Sequence, residues 1–399
     1  MAQQKYLHQR PIQNPFTNPF SSSPLSNSSL SNRPISLLSR NGLLLLLALL
    51  VILGVFLPWA GSPLFPFPNT LSPSQSKWRD YSLAQAVEFA AKNGTVIVCA
   101  VSYAYLPFLN NWLISVSRQN HQDKVLVIAE DYATLYKVNE KWPGHAVLIP
   151  PAFDSQTAHK FGSQNHNRIK VRYGATEVTS LFSPSRFKGF FNFTSRRPQH
   201  LLQIVELGYS VMYNDVDMVW LQDPFKYLEG RHDAYFMDDM TAIKPLDHSH
   251  DLPPPGKKGR PYICSCMIFL RPTSGAKLLM RKWIEELRDQ PWSKAKKAND
   301  QPGFNWALMK TAHQVDVDCF LQVPQLNLLV DLYLLPQAAF PTGGLYFKNK
   351  TWVKETKGKH VIIHNNYIVG FEKKTKRFRD YGLWLVDDHA LESPLGKLE

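Results

Sequence analysis

The sequence predicts one α/β domain on a largely parallel sheet, with a ligand crevice at the carboxyl ends of its strands. Three observations predict it. Apolar runs over Thr95–Val101 and Val125–Ala129 flank a segment of helical spacing, Leu106–Ser117, which together make a β-α-β opening. A further apolar strand, Ser210–Tyr213, runs through Asn214 into two carboxylates spaced i, i+2, Asp215 and Asp217. No internal repeat or second linker divides residues 82–399.

Residues 1–41 are rich in Ser, Pro and Asn, a composition expected to stay disordered on the cytosolic side. Gly42–Leu57 is an unbroken Leu-rich run extended by Pro58-Trp59-Ala60, so 42–60 offers 19 residues against the roughly 20 that span a bilayer. A cleaved signal peptide would need a small-x-small site that does not follow the run. Only basic charges precede it, which keeps the amino terminus cytosolic and the remainder lumenal. A short span suits thin early-secretory membranes, and the expectation is a Golgi type II signal anchor. Residues 61–81 read as a Pro/Ser-rich stem. Sequons at Asn93, Asn192 and Asn349 fit a secretory compartment.

Within the domain, Ser82–Lys92 has helical spacing in Leu83, Val87, Phe89 and Ala90. His200–Leu207 is the helix that feeds the acidic strand. Ala234–Met237 and Ile263–Leu270 are further strands. Ser274–Arg288 is an amphipathic helix with Ser274 at its N-cap, and another helix starts near Pro302, whose ring suits a first turn. His360–His364 is a last strand before a basic, aromatic tail.

The chain carries a net charge of +13 and no Asp or Glu before Asp80. Lys5, Arg10, Arg33 and Arg40 hold four of those charges ahead of the apolar run, which leaves +9 beyond it. An acidic polysaccharide or an anionic membrane surface fits that balance. Nucleic acid fits worst, because no zinc-finger, helix-turn-helix or ribonucleoprotein signature accompanies the dispersed basic residues. Four cysteines do not make a disulfide framework at this length. Cys264 and Cys266 are too close for a zinc half-site, so buried thiols with at most one bridge are expected.

Two neighbouring carboxylates at a strand end suit Mn²⁺, with Mg²⁺ as the alternative, and such a cation suits a diphosphate. His364, ending the last strand, is a candidate third ligand. After it, Gly370 would permit close backbone approach to phosphate and Lys373 would set a point charge against it. Asp223 before Pro224 reads as an Asx bend. Asp300 and Gln301 either cap the helix that follows or line a sugar pocket, where a carboxylate and an amide bind hydroxyls. Arg196 and Arg197 open a helix against its dipole, a cost that a phosphate or a nearby carboxylate would relieve. Asp247-His-Ser-His250-Asp251 beside three prolines reads as a mobile surface loop rather than a metal cluster.

Four blocks then carry a resemblance: Phe193–Leu202 with Arg196-Arg197-Pro198, Gly208–Pro224, Asn299–Asn305 and His364–Gly370. Over residues 90–390 they resemble glycosyltransferase family 77 of land plants, in particular its rhamnogalacturonan-II xylosyltransferases. The resemblance implies a GT-A fold, a UDP-xylose donor, Mn²⁺ dependence, a retaining reaction and a pectic acceptor bearing fucose. Similarity to retaining enzymes of the glycogenin type implies site residues as well. Their Asp-x-Asp falls on Asp215 and Asp217, and their Asp-Gln-x-x-x-Asn on Asp300, Gln301 and Asn305. Their Asn-Ser-Gly is matched by Cys264-Ser265-Cys266, and their His-x-x-Gly-x-x-Lys is stretched over His364, Gly370 and Lys373. Donor contacts are thus expected from Arg197, Asp215, Ser265, Asn305, Gly370 and Lys373. Rival readings are an arabinosyl- or galactosyltransferase of cell-wall glycans, and a non-catalytic Golgi scaffold of the same fold.

Overall fold

A computed structural model describes residues 40–56, 73–149, 172–173, 176–177, 193–252, 262–289, 299–312 and 330–398. The chain divides into two compact units, Met1–Thr70 and Leu71–Glu399. Of the first, helix α1 (Arg40–Phe56, 17 residues) is described. At 1.5 Å per residue it is about 25 Å long. Among the described residues no helix is long and apolar enough to cross a membrane; residues 57–60 of the expected span lie outside them.

The second unit begins with α2 (Pro73–Arg79), inside the stretch read as stem, and α3 (Leu83–Ala90). Ser82 and Gln85 form a reciprocal capping box on α3. Strands β1 (Thr95–Val101) and β2 (Val125–Ala129) flank α4 (Leu106–Ser117) at the positions the apolar runs predict. Then come α5 (Tyr132–Lys141), β3 (Ala146–Leu148) and a minimal hairpin of β4 (Arg172–Tyr173) and β5 (Thr176–Glu177). Helix α6 (Arg197–Glu206) starts one turn earlier than its apolar spacing suggests. Gly208, at φ 91°, turns the chain from α6 into β6 (Ser210–Asn214).

Beyond β6 lie β7 (Met218–Trp220), β8 (Ala234–Asp238), β9 (Ile263–Leu270), α7 (Ser274–Asp289), α8 (Gln301–Ala312) and β10 (Leu332–Leu334). The carboxyl-terminal part holds α9 (Gly343–Tyr346), α10 (Lys350–Glu355), β11 (Ile362–His364), α11 (Phe371–Asp380) and α12 (Val386–His389). The cap of α7 is Thr273, whose hydroxyl accepts from the Ala276 N–H; Ser274 is already helical.

Seven strands form one sheet in the order β10-β8-β9-β6-β1-β2-β3. All its pairs are parallel except those of β9, which runs antiparallel to both β6 and β8. Both faces are covered, and the strands alternate between them. Ile97, Cys99 and Val101 of β1 enter one core with Phe108 and Trp112 of α4, whereas Val96 and Val98 enter the other with Val87, Leu201, Trp283 and Phe304. Each such fully buried side chain contributes about 1.5–3 kcal/mol.

A second, two-stranded ladder does the work of positioning. β7 and β11 pair antiparallel, with Ile362 opposite Trp220, Ile363 opposite Val219 and His364 opposite Met218. Chain segments far apart in sequence therefore end side by side at the carboxyl edge of the main sheet.

Candidate active site

Asp215 and Asp217 lie in the turn between β6 and β7, not on an extended strand. Their convergence comes from two separate tethers rather than from strand alternation. The Asp215 N–H donates to the Cys266 carbonyl at 2.8 Å, which fixes it against β9. The Asn365 N–H donates to the Asp217 carbonyl at 3.0 Å, which continues the β7–β11 ladder past Asp217. His364 Nε2 then stands 3.5 Å from Asp217 Oδ1. One ligand atom from each of Asp215, Asp217 and His364 falls within 4.8 Å of the other two.

Cations already attend both carboxylates. Arg197 Nη2 donates to Asp215 Oδ1 at 3.1 Å, and the Tyr213 hydroxyl donates to the same oxygen at 3.0 Å. Lys374 Nζ donates to Asp217 Oδ2. Burial opposes ionisation of Asp217, but Lys374 and His364 outweigh it and hold its carboxyl well below the usual range.

Arg197, the first residue of α6, is buried and serves a second carboxylate. Its Nη1 lies 3.2 Å from Asp300 Oδ2 and donates to the Ser265 hydroxyl at 2.9 Å and to the Ser265 carbonyl. Its guanidinium rests 4.5 Å from the Tyr213 ring centre. Burial penalises the charge, yet Asp300, Tyr213 and Asp215 keep it protonated. Asp300 is pushed up to about 6, first by burial; Arg197 opposes that shift and Asp215 adds to it.

Arg197, Asp215, Ser265 and Asp300 wall a cleft of about 380 Å³, lined also by Asp239, Gln301, His364, Asn366 and Tyr367. Asp239 is held by three neighbours. Gln301 donates to its Oδ2 at 2.8 Å, Asn366 to its Oδ1 at 2.8 Å, and the Tyr367 hydroxyl to its backbone carbonyl. Burial raises its carboxyl above the ordinary range. A cleft lined by carboxylates, an imidazole, a buried arginine and paired amides can hold a diphosphate joined to a sugar.

The sequence profile of nucleotide-diphospho-sugar transferases matches residues 120–378. A UDP-D-xylose:L-fucose α-1,3-D-xylosyltransferase of Arabidopsis thaliana, MGP4, is 82% identical over 100% of both chains. The chain belongs to the nucleotide-diphospho-sugar transferase family. A second Arabidopsis relative, UDP-D-xylose:L-fucose α-1,3-D-xylosyltransferase 1, is 71% identical over 95% of this chain and 97% of its own. Among solved structures, the glycosyltransferase GlyE of Streptococcus pneumoniae aligns with a TM-score of 0.36 at 13% identity, over 75% of this chain and 62% of that one. The mixed sheet of this transferase is of the GT-A-like nucleotide-sugar type, and the protein is a glycosyltransferase.

Most residues singled out in the sequence of the transferase meet at the cleft: Arg197, Asp215, Asp217, Ser265, Asp300, Gln301 and His364. Two do not sit as expected, Lys373 and Asn305, and Arg196 has the nearby carboxylate allowed for. The lysine that reaches the site is Lys374; Lys373 is exposed, because one step along α11 rotates a side chain by about 100°. Asn305 spends its amide on β9, donating to the Ile263 and Gln301 carbonyls and accepting the Ile263 N–H, so it braces the wall rather than facing the cleft. Arg196 answers a carboxylate other than the acidic pair, Glu130 at 3.1 Å. Gly370 precedes α11 at φ 111°, a conformation that glycine alone adopts without strain.

Ser265 is presented by a break in the β8–β9 register between Phe236 and Asp238. A disulfide joins Cys264 to Cys266 around it, the single bridge allowed for, and Cys99 is a buried free thiol. Asp223 makes the expected bend, accepting from the Phe225 N–H at 3.0 Å and pairing with His121 at 2.9 Å. His250 is not on a loose loop: it stacks on Tyr333 at 4.1 Å and bonds the Leu334 carbonyl. Asn93 is exposed, Asn349 caps α10 through the Trp352 N–H, and Asn192 lies outside the described residues. Asp239 and Tyr367 carried no spacing signal. The one available clue was Asp238-Asp239 at the carboxyl end of an apolar strand, the same placement as the Asp215 pair.

Proposed function

We propose that this transferase moves xylose from UDP-xylose to O3 of an L-fucose residue, with retention at the anomeric carbon. The observation that carries the reading is the meeting of Asp215, Asp217 and His364 beside the Arg197–Asp300 pair in one cleft. The donor and acceptor follow the activities for which relatives 82% and 71% identical along nearly the whole chain are named.

Two carboxylates and an imidazole within 4.8 Å of one another fit Mn²⁺, with Mg²⁺ as the alternative. When bound there, such a cation would neutralise charge gathering on the departing diphosphate. Lys374, already in contact with Asp217, supplies a fixed positive charge at the same end. Arg197 aligns Asp215 and Asp300, holding both within one rigid fork. Asp300 and Gln301 grip the xylose, and the Asp300 carboxylate steadies positive charge on its reacting carbon. The acceptor O3–C1 bond forms as the C1–O bond to the diphosphate breaks, and the hydroxyl proton leaves with UDP.

The biological setting extends the same reading. The acceptor is a fucose within pectic rhamnogalacturonan II, an acidic polymer that suits the +9 charge beyond the apolar run. Residues 42–60 anchor the protein in the Golgi membrane with Leu71–Glu399 in the lumen, supported by the purely basic amino terminus. Protease protection in sealed microsomes tests the orientation.

The deciding experiment offers the full-length protein UDP-xylose, UDP-arabinofuranose and UDP-galactose with free L-fucose, with and without Mn²⁺. Transfer from UDP-xylose alone, dependent on the cation, is the expected result. No hydrolysis or transfer of any UDP-sugar, together with no Mn²⁺-dependent UDP binding, would leave only a scaffold.

A further inference from the structure

Tyr367 is held in a conformation that its own side chain disfavours. Its φ is +57°, in the left-handed region that bulky residues rarely enter. Such an outlier costs on the order of 1 kcal/mol or more and persists only where its surroundings over-determine it. They do here. The Tyr367 hydroxyl donates to the Asp239 carbonyl, and Asn366 beside it donates to the Asp239 carboxylate at 2.8 Å. Arg377 Nη2 donates to the Asn366 carbonyl at 2.6 Å, while Gly343 donates to Asn366 Oδ1 at 2.6 Å.

The glycine pair Gly343-Gly344 makes room for this loop. A Cβ on Gly344 would stand 3.2 Å from the Tyr367 ring and 2.5 Å from Thr241 Cγ2. The hydroxyl is thus fastened, the Lys348 ammonium stands 5.8 Å from the ring centre, and Tyr367 remains 45% exposed while lining the cleft. The residue is held there beside Gln301 and Asn366 in a backbone conformation its own side chain disfavours.

The bond sequence shows which side of the cleft it serves. Gln301, beside Asp300, reaches the Asp239 carboxylate, and Tyr367 takes the Asp239 carbonyl. Tyr367 thus lines the cleft on its Asp239–Gln301 side. The backbone carbonyl of Tyr262, a residue 47% exposed, accepts the Asp239 N–H at 2.9 Å.

We infer that Tyr367 is the platform on which the acceptor sugar stacks, and that it selects a 6-deoxy hexose over its 6-hydroxy counterpart. One face of such a sugar presents C–H bonds and a methyl group, which pack on an aromatic ring without leaving a hydroxyl unpaired. The inference rests on the transfer reading above.

Its test separates the two. Full-length Tyr367→Leu and Tyr367→Phe are assayed for transfer to L-fucose and L-galactose, and for UDP-xylose hydrolysis without acceptor. Tyr367→Leu should raise the KM for L-fucose about tenfold and narrow the preference over L-galactose. Its KM for UDP-xylose should move by less than about twofold, since its hydroxyl is tied to Asp239 and not to the acidic pair. Tyr367→Phe keeps the ring and should keep the fucose KM. An unchanged fucose KM in Tyr367→Leu overturns the inference. So does loss of hydrolysis and transfer together in both variants, which would make Tyr367 a structural or donor-side residue. Wild-type protein that neither hydrolyses nor transfers UDP-xylose refutes the function and not the platform alone.

Discussion

Lys374 Nζ donates to Asp217 Oδ2, while Lys373, its neighbour on the same helix, points into solvent. The contact joins two residues 157 positions apart and brings a primary amine to the acidic pair. It also keeps a buried carboxylate charged, so the site is ready for a cation without first losing a proton.

Replacing Lys374 with Met should therefore raise the KM for UDP-xylose by about 10- to 100-fold, the scale of one charge-assisted hydrogen bond. Lys373→Met should stay within about twofold of wild type, as an exposed charge does. Equal effects of the two substitutions would show that α11 does not present Lys374 to the donor.

Arg197 bridges two carboxylates, Asp215 at 3.1 Å and buried Asp300 at 3.2 Å. Arg197→Met should destabilise the domain by about 3–5 kcal/mol, because it strands buried charge. Asp215→Asn should leave stability much less affected yet lower transfer at least about a hundredfold. Urea unfolding and initial rates, measured on both, distinguish a supporting role for Arg197 from a direct one.

Glu130 supplies one part of the pH dependence. Burial pushes its carboxyl up to about 7 from 4.5, and Arg196 at 3.1 Å only partly offsets that. Between those two values the folded protein holds a proton that the unfolded chain has released. The Glu130 contribution to stability accordingly falls as pH rises from 4.5 to 7 and levels off above, by on the order of 3 kcal/mol, while buried His200, pushed down to about 3, contributes in the opposite direction. In Glu130→Gln the unfolding free energy at pH 8 relative to pH 5 should exceed the wild type's by about that amount, read from urea unfolding. A profile as steep as the wild type's would place the slope elsewhere.

Gly343 admits no side chain. A Cβ there would meet the Asn366 carbonyl oxygen at 2.4 Å and the His364 carbonyl at 2.8 Å, both backbone atoms. Gly343→Ala should cost about 1–3 kcal/mol of stability by forcing the His364–Tyr367 segment away. Transfer should fall with it, since that segment carries His364. A melting temperature and rate matching wild type would mean the loop yields freely.

The elements that could be read in advance are those with long apolar runs or a clear helical face. β1, β2, β9 and α4 fall where the runs fall, because buried strands and helix faces leave a dense residue signal. β11 falls within the apolar run His360–His364, but β7 is three residues long and its pairing with β11, more than 140 positions away, is encoded by no local pattern. The same holds at the site. Asp215 and Asp217 announce themselves by spacing, whereas Asp239 depends on partners at 301 and 366. The choice between Lys373 and Lys374 is one of helical phase, set by Phe378 and Thr375 turning inward.

The paired arginines at the start of α6 tie separate parts of the sheet to one another. Arg196 binds Glu130, just past β2, and the Ile149 carbonyl, just past β3; Arg197 binds Asp215 past β6, Ser265 within β9 and Asp300 ahead of α8. The side chains of two adjacent residues thus clasp the rim from β3 to β9. The half of the domain that starts at β1 and the half that ends at α8 are denied independent melting, so heat should take the enzyme apart in one cooperative transition.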